Sequence, residues 1–169
     1  MTAAPADAAD RSAVTASLGR APEADFDVVV RDARGRPAVI RNAPFLADGT
    51  PMPTRYWLVD AGLCSAVGRL EASGGVREAE DEVDAEALRQ AHARYAAERD
   101  GAVPSPWHGP RPSGGVGGTR RGVKCLHAHL AWWLVGGDDP VGAWVAGRLA
   151  VRRDDPVAGR FVLEGDTDP

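Results

Sequence analysis

Cysteine is nearly absent from this chain: Cys64 and Cys125 are the only two in 169 residues. Two are too few for a disulfide framework, so a reduced, cytoplasmic protein is expected. Lysine is scarcer still, with Lys124 alone among 20 Lys and Arg residues. An excess of positive charge is also missing. Lys+Arg 20 against Asp+Glu 24 leaves a net charge of −4, which excludes a general polyanion binder and argues against nucleic acid as a partner. No apolar run approaches the roughly 20 residues of a membrane span. The opening MTAAPADAADRSAV carries neither a basic nor an apolar stretch, so no signal peptide is expected. The remainder is ordinary for a globular protein, with 44% hydrophobic and 26% charged residues and a length that suits one compact domain.

Along the chain, residues 1–11 are expected as a disordered tail, with Asp10 or Ser12 capping a short helix that ends at Leu18 before Gly19. Phe26 to Arg31, Ala38 to Arg41 and Thr54 to Val59 are β-branched or aromatic segments between tight turns, which predicts an antiparallel meander of three strands. From Leu63 the period changes: Leu63, Ala66, Val67 and Leu70 mark a helix that stops at Gly74-Gly75. Asp84 caps a helix to about Arg99, with Gly101 as its stop. Residues 101–121 form a Gly/Pro-rich loop, followed by a helix from about Gly122 to Val135. Asp139-Pro140 opens a last helix to Leu149. The segment 151–169 is expected as a C-terminal tail with one strand at Arg160 to Leu163. The fold class is α+β, a single domain over residues 12–150 in which about three strands pack with four or five helices.

Between Asp100 and Asp138 there is no Asp or Glu, while Arg111, Arg120, Arg121, Lys124, His108, His127 and His129 all fall there. An acidic protein has collected a local positive zone beside glycines. Glycine lets backbone N–H groups approach a ligand, and a helix N-terminus adds partial positive charge. The expectation is an anion site for a phosphorylated or other anionic small molecule. Gly114, Gly115, Gly117, Gly118 and Thr119 would cradle the anion, and Arg120, Arg121 and Lys124 would neutralise it. His127 would stand by as acid or base. The spacing is not that of a Walker A loop. The alternative for the same residues is a flexible connector that happens to be basic.

On a helix starting near Gly122, Val123, Leu126, Leu130 and Leu134 make the core stripe, and Lys124 and His127 converge at i, i+3. Cys125 and His127 then diverge by about 200°, which counts against Cys125 as a nucleophile paired with His127. Cys125 and His129, at i, i+4, can meet. A minor expectation is zinc or another divalent metal held by a set drawn from Asp32, Asp60, Cys125, His127 and His129; no other cofactor is expected. His92 is expected at the surface and Trp57, Trp132, Trp133 and Trp144 in the core. Trp107, in the loop, is a candidate lid or stacking group.

The segments GRPAVIRNAPFLADGTPMPTRYWLV, SAVGRLEASGGVRE, GVKCLHAHLA and DDPVG, in that order over about residues 12–150, resemble the family catalogued as domain of unknown function 501. The resemblance implies a small cytoplasmic protein of high-GC Gram-positive bacteria and brings no established activity. It also implies Cys-Pro pairs where this chain has Asp32-Ala33 and Asp60-Ala61. With Cys125 and His127 those cysteines would make a metal site in the relatives. Here two thiolates are replaced by carboxylates, and Lys124, Cys125 and His127 match the family block. The leading expectation stays with anion binding at 113–127. The competitor is a non-catalytic adaptor that docks on a partner protein, for example in cell division, through the acidic helix expected over 78–98.

Overall fold

Phe26–Arg31 (β1), Pro37–Asn42 (β2) and Tyr56–Leu58 (β3) form the antiparallel meander in the computed structural model, which describes residues 5–155 and 160–163. The β1–β2 turn is tied by Asp32. Its Oδ1 accepts from the Arg34 and Arg36 amides at 2.9 and 2.8 Å, and its Oδ2 from Arg36 Nε at 2.7 Å. The sheet continues past the meander. Val151–Asp155 (β4) and Arg160–Leu163 (β5) form an antiparallel hairpin, and β5 lies parallel to β1, giving the order β3-β2-β1-β5-β4. The expected C-terminal tail is therefore sheet over these two stretches, because Val151 and Phe161 bury apolar surface in the core. Residues 156–159 and 164–169 of that tail lie outside the described residues.

Among the described residues, six α-helices pack around the sheet. Ala8–Leu18 (α1) starts before the expected Asp10 or Ser12 because Asp7 is its cap, accepting from the Asp10 amide at 2.8 Å. The Asp10 carboxylate goes instead to Arg31 on β1, both oxygens at 2.8 Å. Ala61–Ala72 (α2) is capped by Asp60, and Ala85–Gly101 (α4) by Asp84. Between them Gly75–Glu82 (α3) is a separate helix, broken from α4 at Val83, whose backbone is extended. The acidic helix expected over 78–98 is thus two helices. Leu126–Leu134 (α5) starts later than the expected Gly122, which sits at φ +63°. The Glu80 and Glu71 carboxylates take the Val123 and Leu126 amides at 2.6 and 2.7 Å, holding the preceding residues out of the helix. Pro140–Arg148 (α6) follows its Asp139 cap as the sequence predicts.

Neighbours on β2 part company, as the two-residue period of a strand requires. Ile40 joins Val14, Phe26 and Val59 under α1, while Val39 faces the larger helical layer. A register shift between Val28 and Val30 turns Val30 toward that same layer. At its centre lies α5, buried almost all round. Leu126, Leu130 and Leu134 are each at most 2% exposed, and each contributes roughly 1.5–3 kcal/mol by burial. No helix among the described residues is long and apolar enough to cross a membrane.

Candidate functional site

The glycine-rich stretch ahead of α5 is strapped to α4. Val116 donates its amide to His92 Nδ1 at 3.0 Å, so the other ring nitrogen carries the proton and donates to the Gly122 carbonyl, also at 3.0 Å. His92 is therefore a buried tie and not the surface residue expected, and burial lowers its pKa. Arg99, 2% exposed, donates to the Gly114 carbonyl. The amides of Gly115 and Gly118 go to Thr119 and Gly115 carbonyls at 2.6 and 3.0 Å. The Thr119 hydroxyl donates to the Arg121 carbonyl at 2.7 Å. The backbone cradle expected here is thus engaged with itself at Gly115, Gly118 and Thr119. Packing accounts for the glycines: a Cβ at Gly115 would strike the His92 ring, and one at Gly114 would lie 2.6 Å from the Gly118 carbonyl oxygen. The guanidinium groups of Arg111, Arg120 and Arg121 and the Lys124 ammonium are exposed, with no acid partner among the described residues.

Immediately beyond, three groups converge that the sequence kept apart. Cys125 is the residue before α5, with extended backbone at φ −154° and ψ 116°. The helical angle of about 200° between Cys125 and His127 therefore does not apply. Their side chains meet, together with Glu71 from the last turn of α2, and the ligand atoms of all three lie within 4.8 Å of one another. His127 Nδ1 is 3.2 Å from Glu71 Oε1, and Nε2 is 3.1 Å from the Cys64 carbonyl oxygen. Hydrogen bonding to the Cys125 side chain, helped by the Glu71 charge and opposed by burial, raises the His127 pKa to about 9. On α2, Cys64 donates its thiol to the Leu58 carbonyl at 3.3 Å, and burial pushes that thiol up to about 11. Lys124 and His127 do not form the expected i, i+3 pair, because Lys124 precedes the helix.

The rest of the expected metal set is employed elsewhere. Asp32 ties its turn and Asp60 caps α2. His129 is fully buried, with Nδ1 2.7 Å from Asp139 Oδ2, while Asp139 Oδ1 accepts from the Val141 and Gly142 amides. Of that set only Cys125 and His127 are brought together. Glu71, 56 residues before His127, was beyond any spacing argument. Its one local signal is an acid in the last turn of a helix, where the macrodipole disfavours negative charge and an outside partner is called for.

Cys125 and His127 also line a cleft of about 290 Å³ with Leu18, Thr54, Tyr56, Trp57, Leu58 and Ala128. Trp57 thus stands partly exposed at the cleft and not wholly in the core. Trp107, the candidate lid, is stacked on Phe45 with ring centroids 4.0 Å apart. A thiol, an imidazole and a carboxylate beside an apolar cleft can exchange protons, offer a sulfur nucleophile or ligate a cation.

A family model described as protein of unknown function (DUF501) matches residues 28–147. None of the curated proteins and none of the solved structures matches the chain. The matched stretch takes in Glu71, Cys125, His127 and the cations of the loop, and the chain belongs to the DUF501 family.

Proposed function

We propose that this protein binds a small anionic ligand, a phosphate or a phosphorylated molecule, on the surface of the 119–124 segment. The observation that carries this reading is an imbalance in ion pairing. Most arginines outside the acid-free stretch are tied to carboxylates, as in Arg31–Asp10, Arg41–Asp27, Arg94–Asp138 and Arg148–Glu78, with Arg34, Arg69 and Arg77 as scattered exceptions. Arg120, Arg121 and Lys124 have none among the described residues. Guanidinium forks match phosphate oxygens in pairs, and an ammonium adds a compact third charge. Because the Gly115 and Gly118 amides are committed internally, the ligand would be held by side chains. His127, with Glu71 and the Cys64 carbonyl at its two ring nitrogens, is not its proton donor. The alternative adaptor reading has weaker support, since Glu82 on its acidic face accepts from Trp144 and Arg148, and Glu98 from Trp132.

A thermal-shift series with inorganic phosphate and pyrophosphate tests the reading. At 100 times its dissociation constant a ligand adds about 2.7 kcal/mol, which should raise the Tm by roughly 5–10 °C. The shift is expected to vanish in the Arg120→Ala, Arg121→Ala, Lys124→Ala triple variant, whose unliganded Tm matches wild type. A flat series, or a shift retained in the triple variant, overturns it.

A further inference from the structure

We infer that Glu71, Cys125 and His127 form a three-ligand site for a zinc-type divalent cation, with its fourth position open to the neighbouring apolar cleft. The inference is independent of the anion reading, since none of the three residues belongs to the 119–124 surface. Distances carry it first. A tetrahedral ion with bonds of about 2.0–2.3 Å sets its donor atoms roughly 3.3–3.8 Å apart. His127 Nδ1 and Glu71 Oε1 already stand 3.2 Å apart, and the whole set lies within 4.8 Å. Binding an ion then requires the set to contract from at most 4.8 Å toward that spacing.

The surroundings of the three groups supply a second argument. A ligating imidazole needs its other ring nitrogen held as a donor to an outer acceptor, which fixes ring and tautomer. His127 Nε2 donates to the Cys64 carbonyl at 3.1 Å, so an ion at Nδ1 has only to displace the proton that Nδ1 donates to Glu71, and the ring keeps its orientation. The Glu71 carboxylate is likewise oriented from outside, by the Leu126 amide at 2.7 Å. Glu71 and His127 sit on the helices α2 and α5, and Cys125 is the residue that leads into α5, so the donors are held by packed elements.

The donor chemistry selects the ion. One thiolate, one imidazole and one carboxylate suit zinc and its borderline neighbours, whereas calcium and magnesium require oxygen donors throughout. Three protein ligands with a free position is the pattern of a zinc site that accepts an outside molecule. Here that position adjoins the 290 Å³ cleft lined by Leu18, Tyr56 and Trp57. Glu71 and His127 each keep 28% of their side-chain surface exposed, so an ion reaches the site from solvent.

Titration of chelator-stripped protein with cobalt(II) tests the site. One equivalent should bind and produce thiolate-to-cobalt charge-transfer absorption with the intense d–d bands of a four-coordinate ion, all displaced by zinc. Cys125→Ser should abolish the charge-transfer band, and His127→Ala or Glu71→Gln should weaken binding at least tenfold. Cys64→Ser, and the triple variant of the 119–124 surface, should leave the spectrum unchanged. Should Cys125→Ser fail to fold, alkylation of the wild type decides instead, since zinc should protect Cys125 from iodoacetamide. A wild type without the band, a band carried by Cys64, or alkylation that zinc does not slow overturns the inference.

Discussion

Two imidazole–carboxylate pairs hang from α5 only two residues apart, and they have opposite fates. His129 and Asp139 are wholly buried, 2.7 Å apart, and the same carboxylate caps α6. His127 and Glu71 are 3.2 Å apart, partly exposed, and share their space with the Cys125 thiol and a cleft. The first pair is a strut between two helices. The second keeps donor atoms within reach of solvent. Two histidines on one helix, each facing a carboxylate, thus separate into structure and candidate chemistry through burial and through the third group that each pair meets.

Breaking the strut gives the largest expected effect. Asp139→Ala strands His129 in the core and removes the α6 cap, so a loss of about 3–5 kcal/mol is expected, read as a fall in urea midpoint. Glu71→Gln keeps an acceptor for the Leu126 amide and should cost about 1 kcal/mol or less. Equal losses for the two variants would erase the distinction. Gly115→Ala probes the third histidine, His92, whose ring the new methyl would strike. A cost of about 1–3 kcal/mol is expected there, with unchanged cobalt binding. A full-strength fold with a displaced cobalt site would instead tie the loop to the centre.

A pH dependence separates the partly exposed pair from the buried one. His127 titrates at about 9 in the folded protein, above its unfolded value of about 6.5. A raised pKa means that the contribution of the imidazolium is fully present below about pH 6.5 and is lost as pH rises through 9. The stability difference between wild type and His127→Gln, measured by urea denaturation without metal, should therefore shrink across that window. A difference that stays constant from pH 6 to 9.5 would place the proton elsewhere.

Much of the scaffold was legible because its signals are local. The meander follows from β-branched segments between turn residues, and Asp84 and Asp139-Pro140 open their helices where the capping rules place them. The candidate centre was not, for one physical reason: the start of α5 is decided by carboxylates from distant helices. Once Glu80 and Glu71 take the Val123 and Leu126 amides, Cys125 leaves the helix and swings toward His127. A helical wheel begun at Gly122 put those two side chains on opposite sides. In the same way the Gly-rich stretch looked like a ligand cradle, because His92 and Arg99, which strap it, lie on another helix.

The central claim is that the His127 pair is a ligand centre and the His129 pair is not. Nitrogen-resolved NMR of the imidazoles, recorded before and after one equivalent of zinc, tests it most directly. The account predicts that His127 Nδ1 moves to a metal-bound shift while His129 and His92 stay in place. An unmoved His127, or a zinc-induced change at His129, would contradict it.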